Sequence, residues 1–279
     1  MLRSSPGPGN LWRIASAFAS LYLTFHSAVG APMTFAGVPV TPGATVQANV
    51  PLSTLQQSYV SEGGNAVPPH AVAVLAVPPG FDPNKSWPVL VVFSTSDMKT
   101  QNRQDLVNIY RPMALASGWV IIAGDGPTAA PRRDTSGWRA GTTLAAIDAL
   151  HRSFPGSKSW PIASAGFSGG AKRAGLITPL LSLAGCRVIG IYLTGINVDQ
   201  LSDGYRQYKP GQSFLYTPIF LSVGSADQTA TPVQQNEVKT SMQRTGFGRI
   251  RLERFPQGHA VKRVHVLEAL RWFRELQGS

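Results

Sequence analysis

From His70 onward the chain alternates short apolar runs, bounded by glycine and proline, with longer segments whose apolar residues recur at helical spacing. The runs are "AVAVLAV" (71–77), "PVLVVFS" (88–94), "WVIIAGD" (119–125), "WPIASAG" (160–166), "RVIGIYLTG" (187–195), "PIFLSVG" (218–224) and "RIRLERF" (249–255). Helical stretches fall near 102–117, 139–154, 170–184, 231–245 and 260–276. Short, largely apolar runs separated by helices are the pattern of βαβ units whose sheet is covered on both sides. The expected class is therefore α/β, with a mostly parallel central sheet and helices on both faces. The first two runs are joined by "PPGFDPNKSW", a turn-forming composition that predicts an antiparallel hairpin between them.

Outside this alternation the pattern weakens. Residues 31–69 are rich in Pro, Gly, Thr and Val and predict an extended lead-in, with one edge strand around "ATVQANVPL". The segment 196–217, "INVDQLSDGYRQYKPGQSFLYT", reads as irregular and is long enough for a loop lid but too short for a large cap domain. At the amino end, Arg3 and Arg13 precede the apolar stretch "IASAFASLYLTF", and Ala28 and Gly30 then put small residues at the minus three and minus one positions of a cleavage site. This is the pattern of a secretory signal peptide, and the apolar stretch is shorter than the roughly 20 residues a membrane span needs. The expected organisation is a signal peptide over 1–30, the lead-in over 31–69 and the α/β domain over 70–279. The protein would then be secreted or periplasmic, the alternative being a membrane anchor formed by an uncleaved signal.

Composition changes this picture little. Apolar residues make up 43% and charged residues 14% of the 279, which fits a folded globular chain and excludes a disordered one. The net charge is +11. A basic surface of this kind favours weak association with anionic surfaces, but the cations are scattered, without the tract or aromatic platform of a specific nucleic-acid binder. Cys186 is the only cysteine, so neither an intramolecular disulfide nor a cysteine-based zinc site is available. Its setting, "AGCRVIGIYL", predicts a buried, inert thiol.

The candidate chemistry begins at "WPIASAGFSGGAKRAGLI", read as strand, tight turn and helix, with the Gly-x-Ser-x-Gly spacing on the turn: Gly166, Phe167, Ser168, Gly169, Gly170. A serine held on such a turn presents its hydroxyl above the sheet, beside a helix amino terminus that favours negative charge. A hydroxyl attacks at neutral pH only with a base, and the base needs an orienting carboxylate. Asp227 lies just beyond a strand in "GSADQTATP"; Thr231 and Pro232 supply the cap and first residue of the following helix, which leaves Asp227 for other work. His259, in "FPQGHAVKRV", is placed on a loop after the last strand. His26, His70, His151 and His265 sit in the signal, before the sheet, within a helix and at the turn into the last helix.

The order Ser168, Asp227, His259, each after a predicted strand, resembles the α/β-hydrolase fold over about residues 70–276. "GFSGGAKRAG", "VGSADQTATP" and "FPQGHA" together resemble secreted esterase-like members of the poly(hydroxyalkanoate)-depolymerase and feruloyl-esterase sort. The resemblance implies Ser168 as nucleophile, His259 as general base and then acid, and Asp227 as the group that orients His259. It implies an oxyanion hole from the backbone N–H of Gly169 and a second N–H at Ser94, Thr95 or Ser96, with Thr95 preferred. That loop reads "FSTSDM" where many lipases and esterases carry His-Gly, so the register of the second donor departs from the family's pattern.

The resemblance implies a small-molecule or polymeric ester substrate and an acyl-enzyme intermediate; no cofactor is expected, since no metal, nucleotide or flavin motif appears. A non-catalytic or surface-binding member of the same fold is the alternative. Lys172 and Arg173, in the first turn after Ser168, either project to solvent or meet an anionic part of the substrate. Trp138, Tyr205, Tyr208 and Phe214 either pack at the edge of the core or line a pocket, with packing favoured.

Overall fold

The strands cross the molecule as one eight-stranded sheet in a computed structural model that describes residues 33–95, 101–127, 133 and 135–278. The segment expected as a signal, 1–30, lies outside the described residues, as do Ser96 and most of 128–134. Ahead of the sheet, β1 (Thr34–Phe35) and β2 (Val38–Pro39) form a small antiparallel pair. The sheet comprises β3 (Thr45–Val50), β4 (Ala71–Ala76), β5 (Val89–Phe93), β6 (Val120–Asp125), β7 (Ile162–Phe167), β8 (Val188–Thr194), β9 (Ile219–Gly224) and β10 (Ile250–Phe255). Its order is β10-β9-β8-β7-β5-β6-β4-β3, parallel from β6 through β10 and antiparallel at β4–β6 and β3–β4.

All seven predicted strands are present within two residues of their predicted ends, but the first two do not form a hairpin. β6 lies between β4 and β5, hydrogen-bonded antiparallel to one and parallel to the other. The turn-rich 77–88 segment therefore bridges two inter-strand spacings, roughly 10 Å, rather than closing a tight turn. The edge strand within the lead-in is β3, paired along its whole length with β4.

Helices follow the strands: α1 (Thr54–Val60), α2 (Asn102–Asp105) running through a π-helical turn into α3 (Arg111–Ala116), α4 (Ser136–Ser153), α5 (Gly169–Leu183), α6 (Gln200–Tyr208), α7 (Pro232–Thr245) and α8 (Arg263–Glu275). α6 lies in the segment read as irregular. Asp199 caps it by accepting from the Ser202 N–H at 3.0 Å, and Lys209 closes it in a left-handed conformation. The nine residues of α6 are strongly amphipathic, but polar residues and Gly204 dilute the apolar signal over so short a span.

The period of two along each strand divides the core into two layers. Ala71, Ala73, Leu75, Val89, Val91 and Phe93 join the layer containing apolar residues of α1, α4, α5, α6 and α7. Val74, Ala76, Leu90 and Val92 join the layer built with the α2–α3 segment and α8. Each fully buried Leu, Ile, Val or Phe contributes about 1.5–3 kcal/mol, so covering both faces explains the unbroken apolar runs in the sequence. Among the described residues no large cap domain covers the carboxyl edge of the sheet, where β5, β7, β8, β9 and β10 all end. That edge is where a parallel α/β sheet collects ligands and chemistry.

Candidate active site

Ser168 sits between β7 and α5 with φ 55° and ψ −120°, one of three described non-glycine residues at positive φ. An L-residue tolerates that conformation only when its surroundings enforce it. Here the Ser168 N–H donates to Thr194 O of β8 at 2.9 Å, and the Ser168 carbonyl accepts from Ala171 N–H at 3.0 Å to start α5. The glycines permit the close approach. A Cβ on Gly166 would lie 2.1 Å from Gly170 O, and one on Gly170 would lie 2.3 Å from Phe93 O. The first turn of α5 is thereby pressed against both β7 and the end of β5. Gly169 opens α5, where an N–H has no carbonyl four residues back within the helix.

Asp227 and His259 come together from the loops after β9 and β10. His259 Nδ1 and Asp227 Oδ2 are 2.8 Å apart, with the Asp227 side chain buried and His259 partly exposed. The other carboxylate oxygen accepts from the Thr229 and Ala230 N–H groups at 2.8 and 2.9 Å. Burial works to raise the Asp227 carboxyl, but the Ala230 N–H, His259 and the Thr229 N–H together outweigh it, and the net direction is below the ordinary carboxylate range. Thr231 caps α7 in a capping box with Gln234, so the cap and the carboxylate are separate devices.

β8 joins the serine to the histidine. Thr194, whose carbonyl holds Ser168, donates its hydroxyl to Ser222 O at 2.9 Å and reaches Ala260 O, beside His259, at 3.4 Å. The next residue, Gly195 (φ 60°), leaves room for the imidazole: a Cβ there would stand 2.8 Å from His259 Cε1. The Phe167 ring, adjacent to Ser168, lies 4.6 Å from the His259 ring centroid. His265 is engaged elsewhere, 2.8 Å from Ser222 Oγ among Phe220 and Phe255.

The loop after β5 is held by groups that the sequence patterns did not single out. The Ser94 N–H donates to Asn102 Oδ1 at 2.8 Å, and Arg139 Nη2 lies 3.4 Å from Thr95 O. Asn102 also donates to Gly124 O and accepts from Arg139 Nη1, both at 2.8 Å. Asp125 accepts from the Asn102 and Arg103 N–H groups at 2.9 Å and pairs with Arg139 at 3.3 Å. Arg139 and Asp125 are both 3% exposed. Burial pushes the Asp125 carboxyl up; Arg139 and the two N–H groups pull against it, and the net direction is upward. The available signals were an ionisable residue ending the apolar run "VIIAGD" and a cation inside the otherwise apolar stretch after Trp138.

Other predicted contributors fall away from the site. Trp138 is buried against Gly126, while Tyr205, Phe214 and Phe247 form a ring cluster, so these aromatics pack in the core. Tyr208 is half-buried, and burial raises its phenol to about 12. Arg173 hydrogen-bonds the Ser136 hydroxyl of α4 rather than projecting freely to solvent. Burial pushes the Cys186 thiol to about 11, which suits an inert side chain. Among the described residues no three His, Cys, Asp or Glu side chains converge as metal ligands would.

Solved structures share this architecture. A cold-adapted esterase from an Arctic intertidal metagenomic library is 13% identical with TM-score 0.54, over 83% of this chain and 93% of its own. An α/β serine hydrolase without a lid from Xanthomonas campestris is 13% identical with TM-score 0.54, over 86% and 97%. The fold is that of the α/β-hydrolases. A proposed dipeptidyl aminopeptidase IV from Bacteroides ovatus is 12% identical with TM-score 0.53 over 84% of this chain. The present chain spans only 35% of that protein's length. Neither a protein-family model nor a curated protein matches the chain.

Proposed function

We propose that the protein is a serine hydrolase of carboxylic esters working through an acyl-enzyme, with Ser168 as nucleophile, His259 as base and then acid, and Asp227 as the orienting carboxylate. The observation that carries this reading is the 2.8 Å Asp227–His259 pair on the sheet edge that also carries the strained Ser168. With Nδ1–H donated to Asp227, Nε2 is the ring's proton acceptor. Ser168 Oγ attacks the ester carbonyl carbon while its proton passes to Nε2, and Asp227 stabilises the imidazolium. The developing oxyanion is held by the N–H groups of Gly169 and Thr95; the Ser94 N–H, committed to Asn102, is not available for it. Nε2–H then protonates the departing alkoxide, and water repeats the sequence in reverse to release the acid.

The esterase and the lidless serine hydrolase that share the fold support an ester substrate. The uncapped carboxyl edge among the described residues suits either a small ester or a polymer, in line with the resemblance to secreted depolymerases and feruloyl esterases. The basic, apolar amino-terminal pattern supports export with cleavage after Gly30, which amino-terminal sequencing of exported protein would check; a retained Met1 would exclude cleavage.

Turnover of p-nitrophenyl butyrate beside Ser168→Ala tests the activity directly. The expected loss is at least about 1000-fold, together with loss of fluorophosphonate labelling. Equal rates from the two proteins would reject the reading.

A further inference from the structure

Four separate segments meet beneath the loop after β5: the loop itself at Ser94 and Thr95, the start of α2 at Asn102, the end of β6 at Asp125, and α4 at Arg139. Asn102 is the hub. Its carbonyl oxygen takes the Ser94 N–H, the Ser94 hydroxyl (3.1 Å) and Arg139 Nη1, while its amide nitrogen is pinned to Gly124 O. Asp125 fixes the backbone around Asn102 from below through two N–H groups. Ser94 and Asn102 are completely buried.

An ion pair in such a place is an unusual way to hold a core together. Removing both charges from water is costly, and apolar side chains of similar volume commonly fill such a space with equal or greater stability. The benefit has to be sought in the one conformation that the fork selects. Arg139 has that selectivity because its planar guanidinium addresses Asn102 and Asp125 with one nitrogen and the Thr95 carbonyl with the other. It lies under the loop with almost no exposed surface, so it acts on the loop rather than on a substrate.

We propose that Arg139 and Asp125 are positioning residues that lock the register of the loop after β5, committing the Ser94 amide to the core and leaving Thr95 as the second oxyanion donor. The assignment rests on the ester-hydrolase reading above. It also bears on the departure from the His-Gly pattern: Ser94 and Thr95 are held from beneath by a buried fork.

The test compares the full-length wild type with an Arg139→Met/Asp125→Leu double variant and with Arg139→Lys. Measured for each are the thermal midpoint, kcat and KM for p-nitrophenyl butyrate, and the rate at which a fluorophosphonate labels Ser168. The double variant leaves no uncompensated charge in the core but takes the acceptor from the Asn102 and Arg103 N–H groups, so it is expected to fold with a lower thermal midpoint. Its kcat and labelling rate should fall in parallel by about 100-fold while KM stays within about threefold, as for loss of an oxyanion donor. Arg139→Lys, which keeps the charge but not the fork, should lose about tenfold in kcat. A folded double variant with kcat within threefold of wild type overturns the proposal; if the double variant does not fold, an Arg139→Lys protein with unchanged kcat does so. A wild type that neither turns over the ester nor labels sinks the hydrolase reading and this inference with it, whereas an active wild type beside an equally active double variant sinks the positioning role alone.

Discussion

The two ends of the candidate site are built on different principles. At the end proposed for acid–base work, Asp227 is held by the N–H groups of Thr229 and Ala230, two and three residues further along the chain. At the end proposed to hold the oxyanion, Ser94 and Thr95 are held by Asn102, Arg139 and, through them, Asp125, with bonded partners up to 45 residues apart. A turn that satisfies itself forms wherever its sequence occurs. A network assembled from four segments forms only when the whole sheet has closed around it, and each member left without partners would be a buried polar group at full desolvation cost.

The largest effect should come from breaking the acid–base end at its centre. Asp227→Asn keeps the shape but reverses the tautomer that the carboxylate selects, and kcat for a p-nitrophenyl ester should fall about 10,000-fold. The same substitution has a signature in acid. Because the folded state holds the Asp227 carboxyl below its ordinary value of 3.8, the stability it contributes is complete above that value and is lost as pH falls through the folded pKa. Thermal midpoints measured down the acid range should show this decline in wild type and a shallower one in Asp227→Asn.

A smaller effect is expected where the two ends share a boundary. In Gly170→Ala the new methyl would stand 2.3 Å from Phe93 O and 3.0 Å from the Ser94 carbonyl carbon, both backbone atoms, so the start of α5 must move away from β5. Overpacking of this kind costs about 1–3 kcal/mol. Since the shift separates Gly169 from Thr95, kcat should drop by about 10- to 100-fold while the Asp227–His259 pair stays intact. Chemical denaturation and steady-state kinetics on one preparation would separate the two losses.

The smallest effect sharpens the claim that the acid end is locally held. Thr231→Ala removes the cap of α7, which costs about 1 kcal/mol. Because Asp227 is anchored by its own turn, kcat should stay within about twofold of wild type; a larger fall would show that the carboxylate depends on the helix behind it.

Ser168, Asp227 and His259 are legible as candidates because each follows a predicted strand, and the ends of parallel strands lie on one edge of the sheet. α6 escapes the reading because its amphipathic pattern runs for only nine residues, with few apolar positions and Gly204 among them. The hairpin drawn between the first two runs failed for another reason. β4, β5 and β6 have interchangeable apolar patterns, all three buried along their whole length, and nothing local says which lies beside which.

By itself, then, the amino-acid sequence determined the seven main strands, most of the long helices and their alternation, since periodicity, glycine and capping are properties of neighbours along the chain. Strand order, the insertion of β6 beside β4, and the Arg139–Asp125–Asn102 support beneath the loop after β5 were decided only in the tertiary structure. Hydrogen-bonded partners within that support lie 8 to 45 residues apart, and a buried charge acquires its meaning from what surrounds it.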